Sequence, residues 1–260
     1  MKWYRIWLKS FYTDQKGDVM KKLLLLICTA LPLLALTADE IIKKVEHNIL
    51  ADSGYSKISM SVTTSRGERS MEMESWNRGN DKSFIKILYP KKDRGITFLK
   101  IETTMWQYVP KIEKTIKIPS SMMMQSWMGS DFTNDDMAKE SSIVYDYDAS
   151  ITAEDEKGYT LLLKPKPDAA VVWGSIVMEV AKEHFVPLKA IYFDEEGVEK
   201  RVLYYSKVEL VDGRYLPTVM TLIPSDKSSN KTVVKMSEVD FDAKIDDSRF
   251  TRSALKRYSR

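Results

Sequence analysis

Apolar positions recur with two different periods along this chain. In residues 39–50, Ile41, Ile42, Val45, Ile49 and Leu50 fall on one face of a helix, while Lys43, Lys44, Glu46 and Asn48 fall on the other. Asp39 is the expected cap and Gly54 marks the end. From Tyr55 the period is two. Ile58, Met60 and Val62 alternate with Ser59, Ser61 and Thr63, and Met71 and Met73 alternate with Glu72 and Glu74. Arg66-Gly67 between these runs predicts a hairpin. Further extended segments follow at 82–89, 95–101, 104–110 and 113–118. Their links are too short for a parallel crossover, so the neighbours are expected to be antiparallel.

Between Pro119 and Ser142 the alternation stops. Ser120 to Met128 reads as a short Met-rich helix, and the Asp131 to Asp136 stretch leads into a second one with Met137 and Ala138. Strand patterns resume at 143–152, 158–164, 172–181, 186–194, 198–210, 214–223 and 232–241, and Phe250, Ala254 and Leu255 after Asp246-Asp247 predict a last short helix. The expected fold is mainly β (α+β): one large curved antiparallel sheet of about a dozen strands forming an unclosed barrel, with short N-terminal, central and C-terminal helices covering its concave side.

The start of the chain has a different character. Met20-Lys21-Lys22 opens a positive region, Leu23 to Leu36 is an apolar run broken by Pro32, and small residues precede Asp39. This predicts an upstream start extension at 1–19, a signal peptide at 20–38 cleaved near Ala38, and a single domain at 39–260. The run is shorter than the roughly 20 residues that a helix needs to span a bilayer. Cys28, the one cysteine, follows bulky Ile27 within this segment, so a mature chain without cysteine and without covalent lipid is expected.

Composition narrows the function classes. The formal charge of +3 comes from the leader, because residues 39–260 hold 34 basic and 35 acidic side chains. A backbone-reading nucleic-acid binder needs a strong overall basic field, so no nucleic-acid partner is expected. The ten glycines form no dinucleotide or P-loop pattern, and two histidines with one cysteine cannot build a Cys/His zinc site. Asp194-Glu195-Glu196 and Asp146-Tyr147-Asp148 lack the spacing of a calcium loop. No cofactor and no metal are expected.

Nine of the twelve methionines after residue 38 lie between Met60 and Met137, beside Trp76, Trp106 and Trp127. Methionine fills irregular core gaps, and on composition alone a packed core is favoured over a cavity. The sharper reading is an adaptable apolar surface for flexible acyl chains, within a sheet large enough to enclose one.

Several segments carry a resemblance. Ile87-Leu88-Tyr89-Pro90, Arg94 to Leu99, Met105 to Pro110 with Lys114 to Ile118, Gly129 to Thr133, Pro187 to Phe193, Asp212 to Pro217 and Phe250-Thr251 stand in the order shown by a known group. Over nearly all of 39–260 the chain resembles the outer-membrane lipoprotein-sorting group of the LolA/LolB superfamily. The resemblance implies an incomplete antiparallel barrel closed on one side by helices, with an apolar cavity that carries lipid-modified cargo through the periplasm. It moves the balance towards a cavity. It also implies lipidated protein or lipid as cargo, an inner-membrane transporter and an outer-membrane acceptor as partners, and a monomer that is soluble after cleavage. No cavity arginine of the group maps onto a motif here.

The candidate lining residues are Met71, Met73, Ile87, Phe98, Trp106, Tyr108, Met123, Trp127 and Phe132, with Ser121 to Phe132 expected to act as a movable lid hinged at Gly129. Several strands are apolar in both phases, which leaves their inward face open. Two competing functions are carried. A secreted lipid-ester hydrolase lacks a G-x-S-x-G, and its base would have to be His184 in a turn or His47 on a polar helix face. A structural or adhesion protein of the envelope would instead have a filled sheet and a partner at its edge.

Overall fold

The chain after residue 36 folds around one sheet, and its order follows from two runs of hairpins joined where the first strand meets the last. The computed structural model describes residues 36–138, 143–169, 171–227 and 229–260; the expected upstream extension, most of the expected signal peptide and Cys28 lie outside the described residues. Helix α1 (Ala38–Ile49) precedes strands β1 (Ser53–Thr64), β2 (Gly67–Arg78), β3 (Lys82–Tyr89), β4 (Thr97–Ile101), β5 (Thr104–Val109) and β6 (Lys114–Lys117). Short helices α2 (Asn134–Ala138) and α3 (Ile143–Asp146) come next. Then follow β7 (Tyr147–Glu154), β8 (Gly158–Pro165), β9 (Ser175–Ala181), β10 (Pro187–Phe193), β11 (Glu199–Val211), β12 (Arg214–Pro224) and β13 (Lys231–Asp240), and helix α4 (Arg252–Arg257) closes the chain.

The thirteen strands form one sheet in the order β6-β5-β4-β3-β2-β1-β13-β12-β11-β10-β9-β8-β7. Every neighbouring pair is antiparallel. It is two meanders joined where β1 meets β13. Strands β6 and β7 are the free edges, so the sheet is an unclosed barrel, as the sequence predicts.

Both faces are buried near β2 to β5. On the concave face Met60, Val62, Met71, Met73, Ile85, Ile87, Phe98, Met105 and Val234 form one cluster. Pairing explains it, because residues opposite each other across a ladder share a face: Met60 pairs with Met71 and with Val234, and Ile85 pairs with Phe98. The opposite phase holds Trp76, Phe84, Leu99 and Trp106, which follow one another in register across β2 to β5. Phe250, Ala254, Leu255 and Tyr258 cover that row. The C-terminal helix therefore packs on the convex side, not the concave side expected from the sequence. Its position is fixed by a buried hydrogen bond from Thr97 Oγ1 to the Leu255 carbonyl (2.8 Å) and by the Arg249 guanidinium stacked 3.9 Å from the Trp76 ring.

Local differences from the sequence reading have local causes. Helix α1 is capped by Thr37, not Asp39, through reciprocal bonds with Glu40. The Met-rich helix is absent. Ser120–Met122 and Trp127–Gly129 are single 3-10 turns, because the Trp127 N–H donates to the Phe132 carbonyl (2.7 Å) and Met128 and Gly129 both adopt left-handed φ. Gly129 also lies where a Cβ would stand 2.5 Å from the Arg69 guanidinium. Residues 143–146 form a helical turn before β7, packed on α1. Strand β9 starts at Ser175 because Gly174 sits against the Asp194 carbonyl, where a Cβ would come within 2.3 Å.

We expect Phe84→Ala, which empties a fully buried site between β3 and α4, to lower the unfolding free energy in urea by about 3–5 kcal/mol. Leu210→Ala, at a 64% exposed position, should change it by less than about 0.5 kcal/mol.

Candidate functional site: a half-filled concave face

The concave face is packed at one end and open at the other. Over the β2–β5 end sits the β6–β7 connection. It contributes Trp127, fully buried and 5.2 Å from the Phe98 ring, with Met123, Met128, Phe132 and Met137 around it. This connection is pinned on several sides. Arg69 donates to the Met128 carbonyl (2.8 Å), the Asp131 N–H donates to Thr232 Oγ1 (3.0 Å), and Thr232 Oγ1 donates to the Asp131 carboxylate (2.7 Å). The Asn134 and Asp135 N–H groups donate to the carbonyls of Gln125 and Met123. The segment expected as a lid thus stands in this structure as a plug. The Trp127 indole N–H is buried without a partner among the described residues.

Beside the plug lies a cavity of about 430 Å³. Its walls come from Ile58 and Met60 on β1, Met73 and Ile85 on β2 and β3, Leu203, Leu216 and Met220 on β11 and β12, and Val234 and Met236 on β13. Val171, Val172 and Trp173, turned out of the β8–β9 connection, close one side, and Phe132, Met137 and Ile143 close another. Helix α1 packs on β7 and β12. Its C-terminal carbonyls at His47 and Leu50 accept from Arg214, and its Asn48 bridges the His184 carbonyl (2.7 Å) and the Tyr215 N–H (3.1 Å).

Polar side chains share this wall, among them Ser75, Asn77, Asp136, Tyr192, Tyr205 and Arg201. Arg201 on β11 makes a two-pronged bond to Asp136 on α2, both contacts 2.6 Å, with its side chain 8% exposed. The Asp136 carboxylate also accepts from the Thr133 N–H (2.8 Å) and hydroxyl (2.9 Å). The guanidinium lies 4.3 Å from the Trp173 ring centroid and 4.4 Å from that of Tyr192. Burial works against its charge, but the Asp136 bonds outweigh burial and hold the guanidinium pKa above its ordinary value. Burial likewise pushes the hydroxyls of Tyr147, Tyr192 and Tyr205 upward, so the cavity wall presents neutral phenols. Arg201 Nε remains a buried donor without a partner among the described residues.

The nine residues singled out from the sequence divide between the two faces. Met71, Met73, Ile87, Phe98 and Trp127 are buried in the concave cluster, and Met123 and Phe132 pack against it. Of these, Met73 and Phe132 line the cavity itself. Trp106 and Tyr108 lie on the convex side under α4, because the pleat places them out of phase with Met105. The sequence reading missed Arg201. Its signal was the alternation Arg201, Leu203, Tyr205, a cation in the phase of apolar neighbours. His184 stacks face to face on Tyr215, 3.4 Å between centroids, at the end of α1.

A family model described as "Uncharacterized protein" matches residues 79–257. Among solved structures, the fold is similar to a DUF1329 family protein from Desulfovibrio piger, at a TM-score of 0.77 and 23% identity over 84% of this chain and 97% of that one. It is similar to a LolA superfamily protein from Nitrosomonas europaea, at a TM-score of 0.72 and 22% identity over 85% and 100% of the two chains. It is also similar to a domain from Vibrio parahaemolyticus provisionally named as an outer membrane lipoprotein-sorting protein, at 0.74 and 19% over 85% and 98%. No curated protein matches the sequence.

We expect Arg201→Met, which leaves the Asp136 carboxylate buried without its partner, to cost about 3–5 kcal/mol in urea unfolding. Adding Asp136→Asn, which removes the stranded charge and keeps an acceptor for Thr133, should restore much of that loss.

Proposed function

This chain belongs to the family whose model matches residues 79–257, and from its concave cavity and the likeness of its fold to LolA-superfamily structures we propose that it is a periplasmic carrier of acyl chains. In this reading it takes the chains of a lipoprotein or lipid into the concave cavity and moves them toward the outer membrane without covalent chemistry. The observation that carries the proposal is the unfilled half of the concave face. Protein interiors are normally packed to crystal density, whereas this largely apolar wall, which also carries Arg201, Asp136, Tyr147, Tyr192 and Tyr205, surrounds about 430 Å³. That volume is within the range of about 300–1,000 Å³ typical of small-ligand sites.

The driving force would be burial alone. Each methylene moved from water into such a site gains about 0.8 kcal/mol, so one long chain binds without help from a cofactor. Release to a better acceptor then needs only a more favourable apolar environment. An inner-membrane transporter would load the cavity and an outer-membrane acceptor would unload it. The Arg201–Asp136 pair ties α2 to the far half of the sheet and would hold the plug in place while the cavity is occupied. The residues we assign to acyl contact are Ile58, Met73, Ile85, Phe132, Leu203 and Met220.

The test is uptake of a fluorescent fatty-acyl probe. Ile58→Glu and Met220→Glu, both at partly buried cavity positions, should stay folded by circular dichroism and lose uptake, because the carboxylate must be desolvated when a chain enters. Trp106→Phe on the convex side should keep it. If the two glutamate variants folded and took up the probe like the parent, the carrier reading would be dropped. Turnover of ester substrates by the parent would favour the hydrolase instead.

A further inference from the structure

Charge is sorted along the sheet in a way that the acyl-carrier reading does not use. Residues 82–117 and 249–260 together hold fourteen Lys and Arg against Asp93, Glu102 and Glu113, a side-chain net of +11, while the rest of 39–260 stands at −12. Ten of the fourteen cations are exposed. The fold gathers them. The backbone of Gly95 lies where a Cβ would be 2.3 Å from the Ser259 carbonyl and 3.4 Å from the Pro110 ring, which brings the turn after β3, the turn after β5 and the C-terminus to one place. Lys86 Nζ donates to the Arg260 carbonyl (2.7 Å), and Lys256 pairs with Glu113 at 3.6 Å. Lys256, Arg257 and Arg260 converge on one surface recess beside Ser253.

An edge strand is commonly studded with lysine to prevent pairing with another sheet. That explains Lys114 and Lys117 on β6. It does not explain the cations on the two turns and on α4, which are not part of the edge strand. Exposed apolar side chains stand beside them, Tyr89 at the end of β3 at 49% and Ile112 in the 110–113 turn at 54% exposure. Cations that surround apolar tips fit the boundary of an anionic bilayer, where phosphates meet the basic groups and the apolar tips enter the acyl layer. An acidic protein surface would account for the cations but not for the tips.

We propose that this end of the molecule, formed by the 90–95 and 110–113 turns with the C-terminal helix, docks on membranes rich in anionic phospholipid. Because α4 and its cluster lie on the convex side, docking leaves the concave cavity uncovered. The opposite net charge of the rest of 39–260 orients the molecule as it approaches.

The experiment is flotation of the folded protein with vesicles of phosphatidylglycerol and phosphatidylcholine, against phosphatidylcholine alone. The parent should bind the anionic vesicles at low salt and be released at about 1 M salt, where screening shortens to about 3 Å. Each cation near an anionic leaflet is worth about a fivefold factor, so Lys91→Glu/Lys111→Glu/Arg252→Glu should weaken binding by about a hundredfold or more. Ile112→Ser should weaken it several-fold with the charge unchanged. Both variants should take up the acyl probe like the parent, which separates this proposal from the carrier reading. Three results would overturn it: no binding to anionic vesicles at low salt, equal binding to neutral ones, or retention on immobilised polyglutamate by a protein that ignores both kinds of vesicle.

Discussion

Strands β6 and β7 are consecutive in the chain but stand at opposite edges of the sheet, so the stretch between them has to cross the concave face. Nothing else in the topology demands a long connection, since every other neighbouring pair except β1 with β13 is a simple hairpin. The crossing stretch is where the alternating pattern stops and the methionines gather. It buries Trp127 against Phe98 at one end of the face and then meets Arg201 through Asp136 further along. Because one crossing stretch does not fill a face thirteen strands wide, part of that face is left as a cavity. The hole is a consequence of how the sheet fails to close.

The plug is held by polar contacts as much as by packing, and this bears on how it could move. Apolar contact alone would let Trp127, Met123 and Phe132 slide over a methionine surface that adapts to many shapes. The bonds from Arg69, Thr232 and Arg201 give the segment a defined seat. Breaking any one leaves a polar or charged group to be satisfied elsewhere, which costs more than shifting an apolar contact. Arg201 Nε and Trp127 Nε1 are buried donors without partners among the described residues. The bonds to Arg69, Thr232 and Arg201 keep the segment in place beside an occupied cavity, as the proposed carriage of acyl chains requires.

Most of the sheet was legible in the sequence because hairpins leave plain marks: apolar alternation, short turns with glycine, and links too short for crossovers. Which phase of a strand faces inward was legible only where the other phase is polar, as in Ile58-Met60-Val62. In β3 to β5 both phases carry large apolar residues, since α4 buries the convex side as the plug buries the concave one. Trp106 and Tyr108 therefore looked like cavity residues while Met105, between them, is the one that faces inward. Arg201 was hidden for the opposite reason. It follows Glu199 and Lys200, and a cation in that company reads as solvent-exposed until Asp136, 65 positions away, is brought beside it.

The central claim is that the concave face holds an acyl chain in a site the fold leaves open. Native mass spectrometry of the protein purified gently from cell envelopes tests it most directly. The account predicts a mass increment of one lipid or acylated species that is displaced by a competing fatty-acyl ligand and is absent from the folded Met220→Glu variant. A parent protein that flies only at its polypeptide mass, before and after incubation with lipid, would contradict it.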